Sequence, residues 1–170
     1  KYIYKLLKTS LFMYILGLNA YHGDSSACLV KDGKLIAAIE EERIRRVKHW
    51  AGFPSEAIRF CLSYAGIGPE DLDYIAISRN PYARFHKKIL RVLLKRPSLS
   101  FIKERVGNVA KIQGVKAELA RAYGITENAI RAKLVNVEHH RAHLASSFFV
   151  SPFKKAALAS IDGFGDFLST

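Results

Sequence analysis

Short apolar runs separated by polar turns dominate the first part of the chain and predict strands. The runs Tyr14–Asn19 and Ser26–Lys31 are followed by a third at residues 34–41, directly after the pair Asp32-Gly33. An Asp-Gly pair between two apolar runs is typical of a type I′ hairpin, because both turn residues adopt a positive φ. The pattern therefore predicts three antiparallel strands in succession.

After residue 53 the apolar spacing becomes helical. Ser55 is the expected N-cap of a helix with an apolar face made of Ala57, Ile58, Cys61, Leu62 and Ala65. Further strands are predicted at 72–78, 133–137 and 155–161, and helical spacing at 82–122 and 138–149. The order βββ-α-β-α-β-α, followed by a new strand, predicts an α/β domain with a mixed sheet of the ribonuclease-H-like kind.

Composition excludes several protein classes. An apolar fraction of 49% over 170 residues is ordinary for a globular domain and argues against a disordered chain. The two cysteines, Cys28 and Cys61, read as buried thiols of a reduced, cytoplasmic protein rather than as a disulfide scaffold. The sequence contains no run of about 18 apolar residues, so it predicts no membrane-spanning helix. Residues 1–12 are expected to be an upstream or non-native extension before Met13, with a signal peptide as the alternative.

The net charge of +12 is concentrated in one segment. Residues 79–116 hold 11 Lys or Arg and one acid, Glu104. Clustered cations can neutralise nucleic-acid phosphates, so a non-catalytic nucleic-acid-binding module is a second hypothesis. The same stretch is rich in Ile and Leu, as in an amphipathic helix with a solvated basic face, and nucleic acid is therefore not the expected partner.

A group of histidines follows the strand at 133–137. His139 and His143 are four residues apart on the expected helix, so their rings share one face and can bind one metal ion, while His140 points elsewhere. Imidazole nitrogens are suitable ligands for Fe²⁺ or Zn²⁺. The alternative is that these are surface or packing histidines. A third ligand is not evident, although Asp162 is a candidate.

Two turns have the residue types that hold phosphate. The first turn offers hydroxyl and backbone donors, together with His22 as a candidate general base. The second has two glycines that allow close backbone approach and two carboxylates that can orient a Mg²⁺-bound phosphate. The candidate phosphate-binding residues are Asp24, Ser25 and Ser26 in the first turn and Asp162, Gly163, Gly165 and Asp166 in the second. Ordinary polar turns remain the alternative for both.

A charge run at residues 40–49 ends the third predicted strand. Its basic members, Arg43, Arg46, Lys48 and His49, are candidates for lining a pocket for an anionic substrate. A solvated charged surface is the alternative.

These segments, taken in order, resemble the N-terminal part of the NodU/CmcH O-carbamoyltransferases. The resemblance covers residues 14–166. It rests on GLN (17–19), YHGDSSA (21–27), DG (32–33), EEER (40–43), RVKH (46–49), FP (53–54), VEHHRAH (137–143), SPF (151–153) and IDGFGD (161–166).

The resemblance implies an actin-like ATPase (ASKHA) fold, with residues 13–170 as the N-terminal lobe. Enzymes of this kind use carbamoyl phosphate and ATP to form carbamoyl-adenylate, and then transfer the carbamoyl group to a hydroxyl of a small-molecule acceptor. It implies that His139 and His143 bind an iron-like metal, that Asp162, Gly163 and Gly165 bind nucleotide phosphate, and that His22 is the base.

Two features qualify what the resemblance implies. Gly23 separates His22 from Asp24, whereas many members of the family have His directly before Asp. The second half of the actin-like fold and a YrdC-like domain are not represented, so a chain of this extent is not expected to complete the reaction alone.

Overall fold

A five-stranded mixed sheet forms the centre of the fold in the computed structural model, which describes residues 12–79 and 114–161. The sheet order is β3-β2-β1-β4-β5. Strands β1, β2 and β3 pair antiparallel, and β4 and β5 lie parallel to β1. The strands are β1 (Tyr14–Asn19), β2 (Ser26–Lys31), β3 (Lys34–Glu40), β4 (Tyr74–Ile77) and β5 (Lys133–Asn136).

The strand directions collect four loops at one edge of the sheet. Strand β3 is antiparallel to β2, and β2 is antiparallel to β1, so β3 runs in the direction of β1. The carboxyl ends of β1, β3, β4 and β5 therefore share one edge. Ligands of open α/β sheets bind outside the carboxyl ends of the strands, so this edge is where a site is expected.

The predicted Asp32-Gly33 hairpin is confirmed and lies at the opposite edge. Asp32 has φ 49° and Gly33 φ 78°, as a type I′ turn requires. Lys31 pairs with Lys34 across the turn. The Asp32 carboxylate accepts a hydrogen bond from the Met13 backbone N–H at 2.8 Å, which secures the start of β1.

Four helices are described together with two 3₁₀ turns, Pro69–Asp71 and Glu127–Ala129. The helices are α1 (Glu41–Arg45), α2 (Ser55–Ala65), α3 (Val115–Tyr123) and α4 (His139–Phe148). Helix α2 packs against β2 and β3.

The core joins one face of the sheet to α2 and α3. Alternate strand residues are buried, as the period-2 geometry of strands requires. Its principal side chains are Leu16, Leu18, Leu29, Ile75 and Ile77 from the sheet, Ile58, Cys61 and Leu62 from α2, and Leu119 from α3. Both cysteines are free thiols, and burial raises the pKa of Cys61 to about 11, which keeps it neutral.

The predicted mixed α/β sheet and the apolar face of α2 are confirmed, but three local predictions are wrong. The third strand, predicted to end at residue 41, ends at Glu40, because residues 41–45 form a helix: Glu and Arg favour helix, and Glu41 pairs with Arg45 one turn later. Pro54, not Ser55, holds the N-cap position of α2.

The third correction concerns residues 155–161, which form no strand. A strand needs a hydrogen-bonded neighbour and an apolar face to bury. In the described part of the chain this segment has no paired strand, and Ile161 is 85% exposed. Most of the predicted helical stretch 82–122 and of the basic segment 79–116 lies outside the described residues.

Candidate functional site

Two loops meet at the carboxyl edge of the sheet and form what we call the loop cluster, residues 20–25 after β1 and residues 46–54 after α1. The Ser25 backbone N–H donates to the Trp50 carbonyl at 2.9 Å, and the Tyr21 N–H donates to the Gly52 carbonyl at 3.2 Å. In the sequence these loops are two separate motifs. The fold brings them together.

Ser25 lies at the centre of the loop cluster. Its side chain is fully buried, and its hydroxyl oxygen lies 2.8 Å from the Gly52 carbonyl and 3.1 Å from the His22 carbonyl. The hydroxyl thus ties the two loops together, as the polar-turn alternative expects of this residue. Phosphate binding by Asp24, Ser25 and Ser26 stays a prediction.

His49 and Asp24 form a hydrogen-bonded pair on the surface of the loop cluster. The His49 Nδ1 atom lies 2.8 Å from Asp24 Oδ1, and the His49 backbone N–H donates to Glu42 Oε2 at 3.0 Å. The hydrogen bond with Asp24 is the main reason that the pKa of His49 is raised above its ordinary value. One ring nitrogen of His49 and one carboxylate oxygen from each of Asp24 and Glu42 all lie within 4.8 Å of one another.

The other members of the predicted anion pocket face solvent. Arg43 is exposed and lies 3.0 Å from a Glu40 oxygen and 3.6 Å from a Glu42 oxygen, which offsets its charge. Arg46 and Lys48 are exposed beside His49. These two side chains are the described cations of the run that remain best placed to attract an anion.

Sequence reasoning missed Glu41, which organises the base of the loop cluster. Its carboxylate is fully buried, and it pairs with Arg45 and accepts hydrogen bonds from the first turn of α2. The Arg45 guanidinium also lies over the Trp50 ring, 4.6 Å from its centroid. No local pattern signals this contact, because Glu41 meets α2 about 15 residues later in the chain.

The histidines of α4 adopt the predicted arrangement. His139 Nε2 lies 3.1 Å from His143 Nε2, and the two rings meet edge to face. His140 is buried with Nδ1 3.1 Å from Ser160 Oγ, so it does point elsewhere. Helix α4 follows β5, and the histidine pair therefore lies at the same edge of the sheet as the loop cluster.

The remaining predicted residues are placed as follows. His22 is exposed, and its carbonyl accepts the Ser25 hydroxyl. Ser26 begins β2 opposite Glu40. Asp162, Gly163, Gly165 and Asp166 lie outside the described residues, so the second phosphate turn and the third metal ligand stay predictions.

The decisive comparison is with protein families: the model described as "Carbamoyltransferase N-terminus" matches residues 14–170. The chain belongs to this carbamoyltransferase family. The resemblance to the NodU-like carbamoyltransferases is thereby confirmed.

Two curated relatives support the assignment. The chain is 38% identical over 162 residues to the uncharacterized protein sll1178 of Synechocystis sp., covering 92% of this chain and 26% of that protein. It is 36% identical over 151 residues to the nodulation protein NolNO of Sinorhizobium fredii, covering 89% of this chain and 21% of that protein. The chain thus spans about a quarter of the length of these curated relatives.

The solved structures include YeaZ from Pseudomonas aeruginosa, with a TM-score of 0.40 and 15% identity over 80% of this chain and 49% of that one. Within residues 12–79 and 114–161, no helix combines the length and apolarity needed to cross a membrane.

Proposed function

We propose that this carbamoyltransferase chain is the N-terminal lobe of an actin-like, ribonuclease-H-like O-carbamoyltransferase. The full enzyme transfers a carbamoyl group from carbamoyl phosphate, through ATP-dependent formation of carbamoyl-adenylate, to a hydroxyl of a small-molecule acceptor. The observation that carries the proposal is the family match over residues 14–170. The sheet order β3-β2-β1-β4-β5, with the candidate residues at one edge, supports the fold assignment.

The histidine pair of α4 has a spacing that fits a metal ion. Two nitrogen ligands of one tetrahedral ion with metal–nitrogen bonds near 2.05 Å lie about 3.3 Å apart. The observed separation of His139 Nε2 and His143 Nε2 is 3.1 Å. An iron or zinc ion at these residues would supply positive charge to polarise a phosphate or carbonyl oxygen.

The chain's other residues bind and orient the anionic substrates. The exposed cations Arg46 and Lys48 attract the phosphates of carbamoyl phosphate or ATP toward the loop cluster. Asp162, Gly163, Gly165 and Asp166 bind the nucleotide phosphates together with Mg²⁺, as the resemblance implies. The resemblance also implies that His22 is the base that deprotonates the acceptor hydroxyl. A cytoplasmic location agrees with carbamoyl phosphate and ATP as substrates.

The activity is tested with the whole protein that carries this sequence. Carbamoyl phosphate labelled in its carbamoyl carbon is incubated with a panel of hydroxyl-bearing sugars and metabolites, with and without ATP. The expected result is labelled carbamate ester only when ATP is present. Absence of ATP-dependent label transfer, together with absence of carbamoyl-phosphate-dependent pyrophosphate release, would refute the proposed function.

Metal binding is tested separately by calorimetric titration of Fe²⁺ and Zn²⁺ under anaerobic conditions. We expect His139→Ala and His143→Ala each to lower metal affinity at least tenfold. Phe149→Ala, an exposed change directly after the same helix, serves as the matched control and should leave affinity unchanged. Equal affinities in all four proteins would refute the assignment of the ligands.

The alternative, a nucleic-acid-binding module acting through residues 79–116, is not favoured by the family assignment. A salt-dependent affinity for RNA or DNA that falls on substitution of Arg84, Lys87 and Arg91 would revive it.

A further inference from the structure

Of the two histidines in the loop cluster, His49 is the one whose ring is paired with a carboxylate through a described hydrogen bond. Its Nδ1 atom lies 2.8 Å from Asp24 Oδ1. His22 instead contributes its backbone carbonyl to the Ser25 hydroxyl. A general base needs an oriented imidazole, and an acidic partner on one ring nitrogen provides that orientation.

The hydrogen bond to Asp24 selects the tautomer that a base requires. When neutral His49 donates its Nδ1 proton to the carboxylate, Nε2 holds the free lone pair. The ring is 80% exposed, so Nε2 is accessible to a substrate. Neutral His49 can therefore accept a proton without losing its partner.

The backbone holds this pair in place from both sides. Asp24 and His49 adopt φ values of 60° and 54°, a left-handed conformation that non-glycine residues rarely take. The Glu42 carboxylate accepts the His49 N–H, and Asn19 donates its side-chain amide to the Asp24 carbonyl. These contacts fix the loop positions from which the two side chains meet.

The pair also lies at the edge of the sheet where the substrate is expected. Asp24 follows β1, and the histidine pair of α4 follows β5, two strands away. At the usual spacing of strands this separation is about 10 Å across the sheet. The dyad and the candidate metal pair are thus on the same edge.

We propose that His49, oriented by Asp24, is the general base that deprotonates the acceptor hydroxyl, and this inference rests on the proposed function. As the hydroxyl oxygen bonds to the carbamoyl carbon, its proton passes to His49 Nε2. The bond between the carbamoyl carbon and the adenylate phosphate oxygen breaks, and AMP leaves with the electron pair. Asp24 is a positioning residue in this step.

The charged groups facing His49 make the pH dependence specific. Asp24 and Glu42 both favour the protonated imidazole, Asp24 through its hydrogen bond and its charge. The rate of acceptor carbamoylation should therefore rise with pH as His49 loses its proton. Removing the Asp24 charge should move this rise to lower pH and also lower the maximal rate, since the ring loses its orientation.

The test uses the whole protein and separates two half-reactions. Carbamoyl-adenylate formation is followed by pyrophosphate release, and transfer is followed by label incorporation into the acceptor. We expect His49→Gln to lower the transfer rate about 100-fold or more and to lower pyrophosphate release by a much smaller factor. Asp24→Asn should lower transfer about tenfold and shift the rising limb of its pH profile to lower pH. Val47→Ala, an exposed neighbour, is the control and should match wild type.

Comparison with His22→Gln decides between the two histidines. The inference is overturned if His22→Gln abolishes transfer while His49→Gln keeps the wild-type rate, or if Asp24→Asn leaves the pH profile unmoved. A wild-type protein that shows neither half-reaction overturns the proposed function and the inference with it. A wild type active in both, with unaffected His49→Gln, overturns the inference alone.

Discussion

The buried carboxylate of Glu41 caps helix α2, since its Oε2 accepts a hydrogen bond from the Ala57 backbone N–H at 2.7 Å. Its Oε1 accepts the Glu56 N–H at 3.2 Å and also pairs with Arg45. The first N–H groups of a helix have no partner within the helix and carry partial positive charge, so a carboxylate is favourable there. This contact also closes the loop 46–54, which carries His49.

Replacing Glu41 by Ala should destabilise the protein by about 2–3 kcal/mol, because α2 loses its cap and the Arg45 guanidinium loses a charged partner. Urea denaturation followed by circular dichroism measures the change. Glu127→Gln, at an exposed position, is the matched control and should change stability by less than about 0.5 kcal/mol. Equal midpoints for the two variants would show that Glu41 does not cap α2.

The sequence predicted the features that depend on neighbouring residues. The Asp32-Gly33 hairpin, the apolar face of α2 and the spacing of His139 and His143 all follow from local turn chemistry or from helical periodicity. The prediction at 155–161 failed because an apolar run does not reveal whether a partner strand is available.

The loop cluster depends on contacts between distant residues, which the sequence pattern does not encode. Asp24 and His49 are 25 positions apart, and each belongs to a separate local motif. Glu41 appeared as one member of a charge run, a pattern that usually marks a solvated surface. Glu41 is buried because helix α2, which begins at Ser55, packs its first turn against the carboxylate.

Gly17 in β1 pairs with Cys28 of β2, and a side chain at residue 17 would force the Cys28 side chain to shift. A Cβ atom at residue 17 would lie 2.6 Å from Cys28 Sγ. Gly17→Ala should therefore destabilise the protein by about 1–3 kcal/mol. The double variant Gly17→Ala/Cys28→Ala should recover most of this loss, as thermal unfolding of the four proteins of the cycle would show. Additive effects of the two changes would contradict the predicted clash.

The raised pKa of His49 predicts a pH-dependent contribution to stability. The folded-state pKa lies above the ordinary value of 6.5, so protonated His49 stabilises the fold at low pH. This contribution is present below the unfolded pKa and is lost as pH rises through the folded pKa. The difference in unfolding free energy between wild type and Asp24→Asn should therefore shrink as pH rises above the ordinary histidine pKa of about 6.5.

Asp32→Asn provides the control for this pH dependence. Asp32 accepts a hydrogen bond from the Met13 backbone N–H, which does not titrate. Its difference from wild type should stay constant over the same pH range. A constant difference for Asp24→Asn as well would show that the His49–Asp24 pair does not form in solution.

Arg46 ends helix α1 in a left-handed conformation. In helices α2 and α3 the corresponding position is occupied by glycine. The φ of Arg46 is 59°, while α2 and α3 end at Gly66 and Gly124, each with φ 65°. The left-handed conformation costs an L-residue about 1–2 kcal/mol, and the greater entropy of glycine in the unfolded chain offsets part of the gain from relieving it. Arg46→Gly should therefore stabilise the protein by about 0.5–1 kcal/mol.

Arg46→Ala separates the backbone effect from the loss of charge. Both variants remove the guanidinium, so both should raise the KM for carbamoyl phosphate in the whole protein if Arg46 attracts the anion. Only the glycine variant relieves the backbone, so only it should shift the urea midpoint upward. Equal urea midpoints for the two variants would show that the conformation at residue 46 carries no strain. An unchanged KM for carbamoyl phosphate would show that Arg46 does not attract this substrate.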